Sequence, residues 1–237
     1  MRFCNSLNNA RWLAAALVLG LLLWLALAKT SHASAVAAPP PIPTAILRPA
    51  ALVLNVHRDI ADTRFMAELE HRLRKRLVPP VVTRPGAFDF SALRGFGKLD
   101  AQRLIEGLVA GTKWNQNNSV IHVFLIKDDM RLAPARFNYA VSIGSAHTPH
   151  HVIVVSLARL QETRFFDSRV DVNPARTAVR AFKMIAKNTA KVAGYSGSKA
   201  CLFSFPRNLA ELDAMPEGFC EPDISLLNMA GITRPLR

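Results

Sequence analysis

Three imidazoles fall within five residues at His147-Thr-Pro-His150-His151. Imidazole is the commonest metal ligand among side chains, so this spacing could place a metal at a chain reversal. A working site also needs acceptors that orient the rings and a rigid backbone that holds them. No acidic residue lies near the three, and Gly144-Ser145-Ala146 and Thr148-Pro149 make the segment a turn. The run therefore reads first as a solvated polar loop. A metal-dependent peptidase or hydrolase rebuilt on His147, His150 or His151, with a residue from the C-terminal tail, is the alternative function.

Other chemistry is sparse. There is no G-x-S-x-G nucleophile motif. Asp128-Asp129 ends an apolar run, where paired carboxylates could act. Arg72, Arg74, Lys75 and Arg76 cluster at the end of one predicted helix. Cations suit a helix C-terminus, so the cluster is either a solvated helix end or an anion-binding patch.

The formal net charge is +13, from 30 Lys and Arg against 17 Asp and Glu. Such a surface favours anionic partners such as lipid head groups or polysaccharide at a cell envelope. No nucleic-acid motif accompanies the charge, so no specific nucleic-acid partner is expected. No protein partner is legible.

Residues 1–35 have the layout of a secretory signal. Arg2 and Arg11 precede a 17-residue apolar run from Trp12 to Ala28, and Ala33-Ser34-Ala35 supplies small residues for cleavage. The expected location is periplasmic or secreted. Seventeen residues is the short limit for crossing a bilayer, so an uncleaved anchor through residues 12–28, with membrane association, is the alternative. Removing Arg2, Arg11 and Lys29 with the signal would leave a charge of +10. Residues 36–49, with Pro39-Pro40-Pro41 and Pro43, read as a Pro/Ala-rich linker. Cys4 would leave with the signal, and Cys201 and Cys220 would remain as an even pair in an oxidising compartment, which favours a disulfide.

The remaining length suits one domain with a real core. Residues 50–57 read as a buried strand. Asp62 to Leu77 carries Met66, Leu69, Leu73 and Leu77 at helical spacing. Val81-Val82-Thr83 suggests a short strand, and residues 84–97 a long surface connection. Asp100 caps a second helix through Ala110. Residues 120–126 (VIHVFLI) form the strongest buried strand, and 136–143 with 151–157 a hairpin. Asn173-Pro174 starts a long helix ending at Ala193 or Gly194. An irregular tail with a short helix at 224–229 follows. The class is α/β with a mixed sheet, since consecutive strands without crossover helices must pair as hairpins or sit at an edge.

The tail carries a further signal. Cys201-Leu-Phe-Ser-Phe205-Pro-Arg-Asn-Leu209-Ala-Glu211-Leu-Asp213, then Phe219-Cys220, resembles the archaemetzincin segment C-x-M-x-F-S-N-S-L-x-E-V-D followed by F-C-x-x-C. Upstream, Asp100-Ala-Gln-Arg-Leu104, Val123 to Met130, Arg136 to Val141 and Val152 to Leu160 are similar to the family's helix, strand end and hairpin, in the same order. The resemblance implies a metzincin-like fold. Its parts would be a twisted mixed sheet with two helices over a long former zinc helix, in residues 50–194, and a small irregular C-terminal subdomain, 195–237. It also makes Asp128-Asp129 a feature of the fold with no catalytic role.

In that family the long helix carries H-E-x-x-H-x-x-G-x-x-H-C, then four residues and the first tail cysteine. Counting back from Cys201 puts the zinc histidines at Ile185, Thr189 and Tyr195, the glutamate at Ala186, the glycine at Val192 and the cysteine at Ser196. Zinc hydrolysis needs imidazoles at i and i+4 and a carboxylate to work the bound water. None is present at these positions, so no cofactor is expected and zinc is expected lost. The Gly194 backbone lies two residues beyond the expected glycine, which lets the helix run about half a turn further. The family's second, four-cysteine site maps to Ser196, Cys201, Cys220 and Asp223, where two thiolates, an aspartate and a serine could in principle hold zinc, or a disulfide between Cys201 and Cys220 would replace a metal clip. The resulting expectation is an exported, non-catalytic pseudopeptidase with a binding or scaffold role.

Overall fold

The computed structural model of the protein describes residues 46–61, 63–87, 89–95, 97–111, 119–145, 147–161 and 173–235. The expected signal, the anchor through 12–28 and most of the linker lie outside the described residues. Among the described residues no helix is long and apolar enough to cross a membrane. In chain order the elements are β1 (Ala51–His57), α1 (Arg58–Ala61), α2 (Arg64–Arg76), β2 (Val81–Gly86), β3 (Arg94–Gly95), β4 (Lys98–Asp100) and α3 (Ala101–Ala110). Then come β5 (Val120–Ile126), β6 (Met130–Arg131), β7 (Ala140–Ile143), β8 (Val152–Ser156), α4 (Pro174–Val192), α5 (Leu209–Ala214) and α6 (Asp223–Met229).

Strands that are apolar at successive positions need cover on both faces. In β5, Ile121, Val123 and Leu125 face one core, while Phe124 and Ile126 face another. β8 divides the same way, with Ile153 and Val155 on the first side and Val152 and Val154 on the second. The sheet order is β2-β1-β5-β8-β7, parallel except for β7, which pairs antiparallel with β8 through Val141↔Val154 and ends the sheet as an exposed edge. The two helices expected beside the sheet lie on opposite faces of it. Met66, Leu69 and Leu73 of α2 join the long helix α4 over the larger core, and Leu104 and Ile105 of α3 cover the smaller one.

Helix starts follow the capping chemistry of the sequence. Thr63, Asp100 and Asn173 each accept a backbone N–H of the following turn, and Pro174 occupies the first turn of α4. The 84–97 stretch is not one surface connection. β2 continues to Gly86, and β3, β4 and β6 make a separate three-stranded ribbon. Strands of two or three residues carry no period to read. The chain is also held from residue 46 onward rather than only past the expected linker. Ile46 and Leu47 pack on the larger core, and the Leu47 N–H donates to the Ala193 carbonyl at 2.8 Å.

The C-terminal tail docks on α4 through buried cations. Arg180, 1% exposed, donates to both Asp213 oxygens at 2.7 and 2.5 Å and to the Leu160 carbonyl at 2.8 Å. Lys183 donates to the Leu212 and Asp213 carbonyls at 2.8 and 3.1 Å. Tyr195, Leu202, Phe203, Leu212 and Phe219 belong to the same core as the sheet. A Cys201–Cys220 disulfide, Cα to Cα 5.7 Å, closes the tail on itself.

The guanidinium of Arg180 holds the Asp213 carboxyl below the ordinary value, against the upward push of partial burial. Its contribution to stability is therefore present above the unfolded carboxyl value near 4 and lost as pH falls through the folded one. Because Asp213 remains 36% exposed, Asp213→Ala should cost about 2 kcal/mol, less than the 3–5 of a fully buried pair. Urea unfolding at pH 7 checks this; the difference from wild type should shrink as the pH falls below 4.

Candidate functional site

α4 has two unlike sides. Ala178, Ala181, Ile185, Thr189 and Ala190 are all buried, each at 0% exposure, and form the side packed into the molecule. On the other side Met184, Lys187, Asn188 and Lys191 line a cavity of about 250 Å³. Its opposite wall is the segment Arg136–Ala140 leading into edge strand β7, and its floor is Phe205, Pro206 and Arg207 of the tail.

The Lys187 ammonium, 8% exposed, donates to the Ser204 carbonyl at 2.7 Å and sits 5.1 Å over the Phe205 ring. Burial, with the neighbouring Lys191 charge, pulls it from 10.5 down to about 8. Asn188 is fixed in place: its Nδ2 donates to the Met184 carbonyl at 2.8 Å, and its Oδ1 accepts from Ser142 Oγ on β7 at 2.8 Å. The Arg207 guanidinium is paired with Glu211 at 3.1 Å. Among the described residues no carboxylate, imidazole or thiol lines the cavity. It can hold an anion, and it has no donor set for a dication.

No family model and no curated protein matches the sequence. Solved structures do. A zinc-dependent peptidase from Methanocorpusculum labreanum matches with a TM-score of 0.59 at 19% identity, over 75% of this chain and 100% of the other. Archaemetzincin from Methanopyrus kandleri matches at 0.53 and 19%, over 76% and 94%. Archaemetzincin from Archaeoglobus fulgidus, complexed with malonate, matches at 0.55 and 12%, over 74% and 99%. The fold is archaemetzincin-like. At these identities the likeness is one of fold.

Ile185, Ala186, Thr189 and Tyr195, the positions reached by counting from Cys201, lie apart from the cavity. Ile185, Ala186 and Thr189 are at most 1% exposed and do not line the cavity. Tyr195, 2% exposed, turns its hydroxyl to Asp223 Oδ1 at 2.8 Å. Gly194, at φ +94°, is the glycine that turns the chain after α4. Carrying the archaemetzincin spacing back from Gly194 puts the two helical histidines on Lys187 and Lys191 and the glutamate on Asn188. All three line the cavity. The third histidine then falls on Gly197, where an added Cβ would stand 2.3 Å from the Phe203 ring. Counted from Gly194, the connection to Cys201 is two residues shorter than in the motif.

The same register moves the first tail cysteine from Ser196 to Ser198, and the structure pairs that residue with the last position. Ser198 Oγ donates to Asp223 Oδ2 at 2.6 Å, and Asp223 is 0% exposed. Where four cysteines would clip a metal, one disulfide and one serine–aspartate pair stand instead.

The other candidates separate in space. His151 is 1% exposed, its Nε2–H bonded to the Ser145 carbonyl at 2.8 Å, and burial pushes its imidazole below the ordinary value. His147 is exposed and His150 half-buried, and among the described residues no three His, Cys, Asp or Glu side chains converge on a metal-sized point. The four-cation patch is partly neutralised within the fold. Arg72 is held by Glu68 at 2.8 Å and Glu217 at 2.7 Å, and Arg74 by Glu70 at 2.8 Å, leaving Lys75 and Arg76. Asp129 is taken by Arg159 at 2.8 and 2.5 Å and serves the fold.

Sequence reasoning did not pick out Lys187, Asn188 and Lys191. The signal was there: Arg180, Lys183, Lys187 and Lys191 recur at three- and four-residue steps along one helix face.

Lysine side-chain NMR should place the Lys187 titration at about 8. Between that value and 10.5 the unfolded chain holds a proton that the folded one has released, so the fold gains stability as pH rises through this window. Lys187→Met should remove the gain. A Lys187 value above about 10, that of a solvated lysine, would show that the ammonium is not buried.

Proposed function

We propose that this chain is a catalytically silent protein on an archaemetzincin-like fold, an exported pseudopeptidase whose cleft serves binding at the cell envelope. The observation that carries the reading is the side of α4 that lines the cleft, with Lys187, Asn188 and Lys191 at the spacing where the family motif has two histidines and a glutamate. A protonated amine has no lone pair to give a metal, and two of them repel a dication. Asn188 cannot take a proton from water, and both ends of its amide are already bonded. Gly197 leaves no third ligand. In the tail both thiols are spent on each other and the Asp223 carboxylate on Tyr195 and Ser198. Zinc does not fit either place.

Export is supported by the 17-residue apolar run in 12–28 and by the disulfide, which belongs to an oxidising compartment. A net charge of +13 favours anionic envelope surfaces as neighbours.

The purified protein should contain no stoichiometric zinc by elemental analysis and should not cleave casein or peptide libraries. About one zinc per chain surviving dialysis, together with zinc-dependent cleavage, would overturn the reading. Zinc that survives dialysis but disappears in a Cys201→Ser, Cys220→Ser variant would place a structural metal in the tail instead.

A further inference from the structure

The cleft cavity has an unusual balance of groups. Arg136, Lys187, Lys191 and Arg207 line it, and only Arg207 forms an ion pair with a described residue. Lys187 spends one of its three donors on Ser204 and Lys191 spends none on a described residue, so several N–H groups of the lining are left without an acceptor among the described residues. The cavity also carries apolar surface. Phe205 is 82% exposed, the most exposed large apolar side chain among the described residues, and stands beside the Lys187 ammonium. Met184, Ala140 and Pro206 continue that surface inward. An unmatched positive charge beside an uncovered ring calls for a ligand with one anionic end and one apolar body.

We propose that this cavity binds a small organic carboxylate, its carboxylate held by Lys187 and Lys191 with Arg136 opposite, and its apolar body laid against Phe205. The inference rests on the metal-free reading above and names the ligand class of the same cleft. Carboxylate oxygens accept charge-assisted bonds from both ammoniums. A cavity of about 250 Å³ lies just under the ~300–1,000 Å³ of drug-sized sites, which limits the ligand to roughly one ring or a short branched chain. Inorganic phosphate has the charge but no body to cover the ring, and a dianion sheds more hydration on entering a half-apolar cavity.

The test is a titration of the full chain, dialysed against chelator, with benzoate, benzamide and inorganic phosphate, followed by backbone NMR and calorimetry. Benzoate should bind saturably and shift Lys187, Asn188, Lys191 and Phe205. Benzamide, alike in shape and uncharged, should bind roughly ten- to a hundredfold more weakly, the effect of losing a hydrogen bond to a charged group. Lys191→Gln, at an exposed position, should weaken benzoate by about tenfold, and Phe205→Ala should weaken it too. A Lys75→Gln, Arg76→Gln variant should bind as wild type does. Equal binding of benzamide, tighter binding of phosphate, or no effect of Lys191→Gln would each overturn the proposal. So would the absence of saturable shifts in a protein shown to be metal-free, an outcome that leaves the non-catalytic reading standing. Benzoate binding that vanishes on chelation and returns with zinc would overturn both.

Discussion

Everything in the C-terminal third hangs on the docking of the tail against α4 by cations that have almost no access to water. Arg180 and Lys183 are 1% and 2% exposed, and Lys187 is 8% exposed. Charges at such depth are tolerated only when each cation finds at least one acceptor. The acceptors are the Asp213 carboxylate and the carbonyls of Leu160, Ser204, Leu212 and Asp213. Residues three and four apart share a helix face, so α4 can present alanines, Ile185 and Thr189 to the interior while turning its cations to the tail. The arrangement fixes the register of the tail, and through Ser204 and Phe205 it fixes the floor of the cleft.

Two metal sites that the resemblance implies are answered here by different physics. In the tail, the two inner cysteine positions form a covalent bond that closes a 19-residue separation. On the chain-entropy account such a loop is worth about 3 kcal/mol. The two outer positions, Ser198 and Asp223, form a buried hydrogen bond that also takes the Tyr195 hydroxyl. Burial, together with that bond to Asp223, pushes the Tyr195 phenol well above its ordinary value, so it stays a neutral donor across the physiological range. On the proposed reading, a clip that a metal would hold is held by chemistry that needs no metal and suits oxidising surroundings.

Much of the fold was legible. The buried strands, the caps at Asp100 and Asn173, and the hairpin of β7 and β8 follow from apolar runs and local hydrogen-bond chemistry. What escaped was set at longer range. The β3-β4-β6 ribbon consists of strands too short to show a period, and α5 is six residues led by Asn208 in a stretch without a full helical turn of apolar spacing. Counts of the motif from Cys201 and from Gly194 differ by two residues, because the connection between the two landmarks is free to change length. Gly194 was the better landmark, since a turn at positive φ ties it to the helix end. Measured from there, Lys187, Asn188 and Lys191 fall on one face. The pairing of Arg72 with Glu217 joins residues 145 positions apart, and no local pattern could show it.

On the proposed reading, the replacement in the cleft keeps the sign of the charge while removing its chemistry. A divalent metal and two ammoniums carry the same formal charge and draw anions into a low-dielectric cleft in the same way. An ammonium has no vacant coordination position, so it cannot take up water and lower its pKa as a catalytic metal does. What remains is attraction with hydrogen-bond direction. On the proposed reading, a carboxylate that a metal site would activate or release is here only held. The depressed Lys187 value near 8 marks the cost of keeping that charge buried without a counterion. A bound carboxylate would supply the counterion and raise the value again, so by linkage the ligand and the proton at Lys187 should bind together.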